Sequence, residues 1–209
     1  MDRYFGCFGL PGTFVLTACM SLLALVLAMI FPAPARWLCF AAMLLSSFGD
    51  ICNTRFMGID RILPNYFYVG AGFFMAAHLF YAAAYLMKIR GSGAVLLNPG
   101  AMIMMGIAVA LAVGFAVMCR REGRLNMLPL ILIYIALISL DCTMIFSFAW
   151  SQGLANPLAL LAAAGAVSFF LSDLIIGLDV VFGGGKFGWL IWWLYPIGQI
   201  LMILGVGRG

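Results

Sequence analysis

Seven times along this chain an apolar run of roughly 18–25 residues appears, the length that crosses a ~30 Å hydrocarbon core at ~1.5 Å rise per residue. The runs are Pro11–Phe31, Ala35–Asn53, Tyr66–Met87, Pro99–Cys119, Met127–Trp150, Pro157–Phe182 and Phe187–Val206. Backbone amides inside hydrocarbon must pair within their own helix or in a closed barrel. No alternation with polar lumen positions recurs, so the runs predict α-helices and not barrel strands. Hydrophobic residues fill 66% of the 209 positions and charged residues 9%, outside the balance of a soluble domain. The expectation is an all-α polytopic membrane protein, one transmembrane domain over 1–209, integral and multi-pass. Ala33-Pro34-Ala35 has the small-x-small form of a signal-peptidase site. The run from about Phe14 to Phe31 exceeds a ~7–15-residue signal core, however, and is kept as a span.

Pro and Gly punctuate the runs: Pro32, Pro34, Pro64, Gly91, Gly93, Pro129, Pro157 and Gly183 to Gly185. With the N-terminus in the cytoplasm, Arg3, Arg55, Arg61, Arg120, Arg121, Arg124 and Lys186 lie inside, and Arg36, Lys88, Arg90 and Arg208 outside. Excess basic residues mark cytoplasmic loops, so the count favours that orientation. These charges sit in short loops, not in a block, and read as topology signals and lipid-headgroup contacts. A nucleic-acid partner is excluded on the same ground.

Two carboxylates stand inside apolar runs: Asp50 in LCFAAMLLSSFGDIC and Asp173 in GAVSFFLSDLIIGLD. A carboxylate at the middle of a membrane helix costs at least ~2.5–3.5 kcal/mol on insertion scales, so it needs a partner or a wet cavity. Counted from the middle of each run, Asp50 lies about 9 Å and Asp173 about 6 Å toward the inner face, with Tyr134 at similar depth. His78, Tyr195 and Gln199 fall within about 3 Å of the middle. Asp141 is a third intramembrane acid, on the outer side of the middle, with no evident role. Asp179 is near enough to a helix end to reach the interface.

Helix faces agree with the depth count. Ser46, Asp50 and Asn53 recur at i, i+4, i+7; Gly70, Phe74, His78, Tyr81 and Tyr85 share one stripe; Gly165, Phe169, Asp173 and Gly177 form an i+4 row. Small and aromatic members of such rows let helices approach and wall a pocket. Singly, His78 and the serines Ser46, Ser47, Ser168 and Ser172 read more readily as interhelical glue, whereas two carboxylates at one depth favour function. The second and sixth runs also occupy matching places in two three-helix groups around the single fourth run, a faint 3+1+3 repeat of the kind some transporters carry.

Other chemistry finds little support. One histidine cannot build a three-His zinc site, and the six cysteines show no C-x-x-C pair. No nucleophile elbow, P-loop or dinucleotide fingerprint occurs in a strand-turn-helix context. No metal or cofactor is expected.

The quoted residues resemble the YhhN-like family of membrane lysoplasmalogenases. Ser46-Ser47-Phe48-Gly49-Asp50 is similar to its S-x-x-G-D. Gly70 with Phe74, His78 and Tyr81 is similar to its G-x-x-x-F-x-x-x-H-x-x-Y. Gly165-Ala166, Phe169 and Ser172-Asp173 are similar to its G-A-x-x-F-x-x-S-D, and Tyr195 with Gln199 to its Y-x-x-x-Q. The family usually shows eight helices and a Lys-Pro near the start of the second; here seven runs are counted, the first has no lysine, and Asp141 stands where an uncharged residue is expected.

The resemblance implies hydrolysis of the vinyl ether bond of lysoplasmalogen, a one-chain lysophospholipid, to a fatty aldehyde and a glycerophospho-alcohol. Such bonds break by protonation of the β-carbon and capture of the oxocarbenium ion by water, which needs one protonated acid and one anion. Asp50 and Asp173 are the expected catalytic pair, the more deeply embedded Asp173 as the acid and Asp50 as the anionic partner, although the two could exchange roles. His78, Tyr81, Gln199, Tyr195, Tyr134, Ser46, Asn53 and Ser172 would bind or orient, and inner-face basic residues, Arg55 foremost, would hold the phosphate. The rival reading is a small transporter or lipid-binding membrane protein whose aspartates carry protons.

Overall fold

Proline sets where the helices begin. Pro34, Pro99, Pro129 and Pro157 each stand in a first turn, where a missing N–H costs nothing. Asn98 and Asn156 precede two of them and cap them, their Oδ1 atoms accepting from Ala101 N at 3.1 Å and Leu158 N at 3.0 Å. The computed structural model describes residues 9–92, 98–153, 155–183 and 187–207. Its helices are α1 (Gly9–Ile30), α2 (Pro34–Asn53), the single turn α3 (Ile59–Ile62), α4 (Tyr66–Ser92), α5 (Pro99–Arg121), α6 (Leu128–Gln152), α7 (Pro157–Phe182) and α8 (Gly188–Gly205).

Every predicted run is thus a helix, and all seven long helices are apolar enough to cross a membrane. The third outlasts its predicted end at Met87 and reaches Ser92. Its Lys88 and Arg90 carry long apolar stems that extend the helix without exposing Ile89, which stays buried. The turn α3 was not foreseen: α2 stops at Asn53, the backbone swings through a left-handed Arg55 (φ 56°), and one helical turn follows.

Six helices close a ring. α1 packs on α2, α2 on α4, α4 on α6, α6 on α7 and α7 on α8, while α8 returns to α1 and α2. The fourth long helix, α5, does not sit at the centre of the two three-helix groups. It lies outside the ring, packed chiefly on α6, and is the most exposed of the spans.

Small residues set the tightest contact, between α7 and α8. A methyl group placed on Gly205 would lie 2.5 Å from Ala162 N, and one on Gly198 2.7 Å from Phe169 N, so the two backbones all but touch. Gly165 meets the Gly198 carbonyl in the same way, which assigns it to helix approach instead of a pocket wall. On the other side of the ring, Gly49 makes room for the ring of Phe74, and Gly70 for the side chain of Asn53. Ser47 binds α2 to α1, contacting Ser21 Oγ at 2.8 Å and donating to the Thr17 carbonyl at 3.3 Å.

One basic residue in the orientation count proves structural. Arg36 is 5% exposed, and its Nη1 donates at 2.8 Å to the carbonyl of Ile203 in the last turn of α8, where backbone acceptors lack helical partners. It caps a helix within the bundle and is no loop charge. Arg3, Lys186 and Arg208 of that count lie outside the described residues, as do Gly93, Gly184 and Gly185 of the boundary signals.

Candidate intramembrane site

The site grows from the buried stripes of α2, α4, α7 and α8 and gains a contribution from α6. His78, wholly buried on α4, lies between two carboxylates: its Nδ1 is 3.1 Å from Asp141 Oδ2, and its Nε2 is 3.5 Å from Asp173 Oδ2. Asp173 Oδ2 also accepts the hydroxyl of Tyr134 at 2.8 Å. Three helices therefore supply one row, Asp141 on α6, His78 on α4 and Asp173 on α7. Ring contacts pack it in place, His78 against Tyr134 at 5.5 Å and against Phe169 at 5.1 Å between centroids.

Asp141 is where sequence reading fell short. It is 0% exposed, its Oδ2 is engaged by His78, and its Oδ1 has no hydrogen-bond partner. A buried carboxylate facing one basic group is expensive unless ionically paired. The imidazole supplies that pairing, and the two residues form one unit.

Asp50 stands across the site on α2. Its Oδ2 accepts the Tyr195 hydroxyl at 2.8 Å, so each predicted catalytic aspartate receives one tyrosine hydroxyl from a different helix. The Tyr195 ring contacts both Phe74 and Phe169, and Phe169 in turn touches His78.

The remaining candidates divide. Tyr81 donates to Gln199 Oε1, and Gln199 Nε2 donates to Ser46 Oγ at 3.2 Å. These three form a cross-link among α4, α8 and α2, one helical turn beyond His78 and Tyr195. Ser172 donates to the Phe169 carbonyl of its own helix at 2.7 Å. Arg55 donates to the Tyr66 hydroxyl and lies over that ring at 4.5 Å. Asn53 lies beside Gly70 with its Oδ1 unpartnered.

An apolar cavity of about 790 Å³, counting the part open to its surroundings, opens between α4, α5, α6 and α7. Asp173, Tyr134 and Asn53 are the polar members of its wall, whereas Asp50 is not part of that wall. Phe74, Leu111, Ile138 and Phe170 line one end, and Phe67, Leu130 and Val180 the other. Among the described residues no group of three His, Cys, Asp or Glu side chains converges to hold a metal ion. The two acids at His78 approach opposite edges of its ring.

Seven membrane-length helices around a buried acid–imidazole–acid row define an integral, multi-pass membrane protein with the makings of an intramembrane catalytic site. Beside the row, a lipid-like cavity brings apolar surface to a single carboxylate. The chain belongs to the YhhN family, whose model matches residues 13–206. No curated protein matches it, and no solved structure does.

Proposed function

We propose that this protein is an intramembrane ether hydrolase that cleaves the vinyl ether bond of lysoplasmalogen, releasing a fatty aldehyde and a glycerophospho-alcohol. The observation that carries the reading is Asp173, a carboxyl group set in the wall of an apolar cavity, with the Tyr134 hydroxyl donating to its Oδ2 and His78 Nε2 3.5 Å from the same atom. With Oδ2 occupied as an acceptor, the acid proton resides on Oδ1 and is delivered to the β-carbon of the vinyl ether. His78 protonated on both nitrogens is neutralised by ionised Asp141, so the row is uncharged before transfer.

Proton transfer leaves Asp173 ionised beside the oxocarbenium ion, an anion formed where the cation appears. Water adds to the cationic carbon and gives its proton to Asp173. The hemiacetal collapses to aldehyde and alcohol, and the acid is restored with one water consumed. Asp50, whose Oδ2 accepts the Tyr195 hydroxyl, is the anionic partner that faces the cation from across the site. Substrate orientation falls to Asn53 and Tyr134 at the wall, and the Tyr81, Gln199 and Ser46 cross-link holds the helices that carry His78 and Asp50.

The test is aldehyde release by purified protein from lysoplasmalogen, with the ester-linked lysophospholipid in parallel. Aldehyde from the vinyl ether alone is expected, and Asp173→Asn or Asp50→Asn should abolish it without unfolding the protein. Full activity in either variant ends this mechanism. No product from either lipid, with substrate-dependent uptake in proteoliposomes, replaces it with the transporter reading.

A further inference from the structure

Resting on the hydrolase reading, we infer that Arg124, at the end of the cavity away from Phe170, is the site that takes the phosphodiester of the one-chain lipid whose tail fills the cavity. Arg124 Nη1 donates at 3.0 Å to the carbonyl of Val180, and Val180 itself lines the cavity. The guanidinium is exposed, and a guanidinium has five N–H donors, so others remain for an anion. The planar fork of arginine matches a phosphate bidentately.

The backbone beneath it is rigidly placed. Helix α5 ends with Gly123 in the left-handed region (φ 66°), Arg124 N bonded to the Cys119 carbonyl at 2.8 Å and Gly123 N to the Arg120 carbonyl at 3.4 Å. That paired 6→1 and 5→2 closure fixes where the chain leaves the helix. Arg120 and Arg121, in the last turn of α5, are also exposed. Arg55, the residue first expected to hold phosphate, has its guanidinium turned onto Tyr66.

Length supports the assignment. Asp173 and Val180 are seven residues apart on α7, about 10 Å along the helix axis. From the β-carbon of a lysoplasmalogen to its phosphorus run seven bonds, about 8–9 Å extended at bond lengths of ~1.3–1.5 Å. A lipid with its vinyl ether at Asp173 thus brings its phosphate within one hydrogen bond of Arg124, and its tail extends past Phe170 and Leu111.

The experiment is equilibrium binding to the full chain in detergent, using ligands that lack the vinyl ether. A saturated 1-O-alkyl lysophosphatidylethanolamine is compared with the matching 1-O-alkylglycerol, and with glycerophosphoethanolamine, which has the phosphodiester and no tail. Arg124→Gln should weaken the phospholipid about tenfold and leave the alkylglycerol within twofold. Arg124→Lys should recover part of the loss, and Arg90→Gln should change nothing. Equal weakening of both tailed ligands, or no weakening of either, overturns the proposal. So does tailless phosphodiester binding as tightly as the lysolipid, which would make this a soluble-phosphodiester site. Because these ligands are not cleaved, an Arg124-dependent result stands even if no aldehyde is ever released. Aldehyde release with Arg124-independent binding removes this site and leaves the hydrolase.

Discussion

Replacing Asp141 with Asn keeps the shape of the residue that His78 Nδ1 contacts at 3.1 Å and deletes its charge. Two magnitudes bracket the effect. A hydrogen bond to a charged group is worth ~1.5–3 kcal/mol and a neutral one ~0.5–1.5, so the loss of charge alone removes at least about 1 kcal/mol. Coulomb's law at an effective dielectric of ~20 and ~3 Å gives an upper value of about 5 kcal/mol for the pair. If Asp141 neutralises His78 so that Asp173 can hold its proton, this difference falls on the chemical step. At ~1.4 kcal/mol per decade, kcat for aldehyde release should drop by between about fivefold and about four-thousand-fold, with KM nearly unchanged. Asp141 reaches Asp173 through His78, so His78→Gln with Asp141→Asn should be no slower than His78→Gln alone. A kcat within twofold of the parent, at an unchanged melting temperature, would refute the reasoning. Additive losses in the double variant would show that Asp141 acts by another route.

Tyr134→Phe removes the hydroxyl that donates to Asp173 Oδ2 at 2.8 Å. A kcat loss of roughly ten- to hundred-fold is expected from ~1.5–3 kcal/mol, read in the same aldehyde assay. Gly205→Val pushes side-chain atoms into the Ala162 backbone, 2.5 Å from the methyl position. Overpacking of this kind costs ~1–3 kcal/mol and should lower the melting temperature in detergent, whereas Asp50→Asn and Asp173→Asn should leave it within a few degrees.

The helices were plain in the sequence because a bilayer admits few alternatives. The run Pro157–Phe182 coincides with α7 residue for residue, its start set by Asn156 and Pro157 and its end by Gly183. The buried stripes were equally plain, since a residue facing helices on four sides leaves a strict i, i+3, i+4 trace. Asp141 was harder to read, although depth alone could have found its partner. Counted from the middles of their runs, His78 lies about 2 Å and Asp141 about 4 Å toward the same face, closer to each other than His78 is to Asp173.

Chain order concealed the rest. Nothing local to Arg36 says that it caps a helix through a carbonyl 167 residues away. Nothing local to Ser172 says that its hydroxyl turns back to its own helix. The position of α5 was also hidden, because a lipid-facing helix and a central one share the same composition when the solvent is itself apolar.

A helix held along only one side leaves its other flanks to the acyl chains around it. For α5, which leans on α6 and walls a greasy hollow, those flanks are seams through which a single-tailed molecule can slide in from the leaflet without passing through water. Supply to such a hollow follows the ligand's mole fraction among the surrounding lipids and not its molarity in the buffer. Diluting a vesicle with inert phospholipid should therefore slow the protein, and diluting the suspension should not.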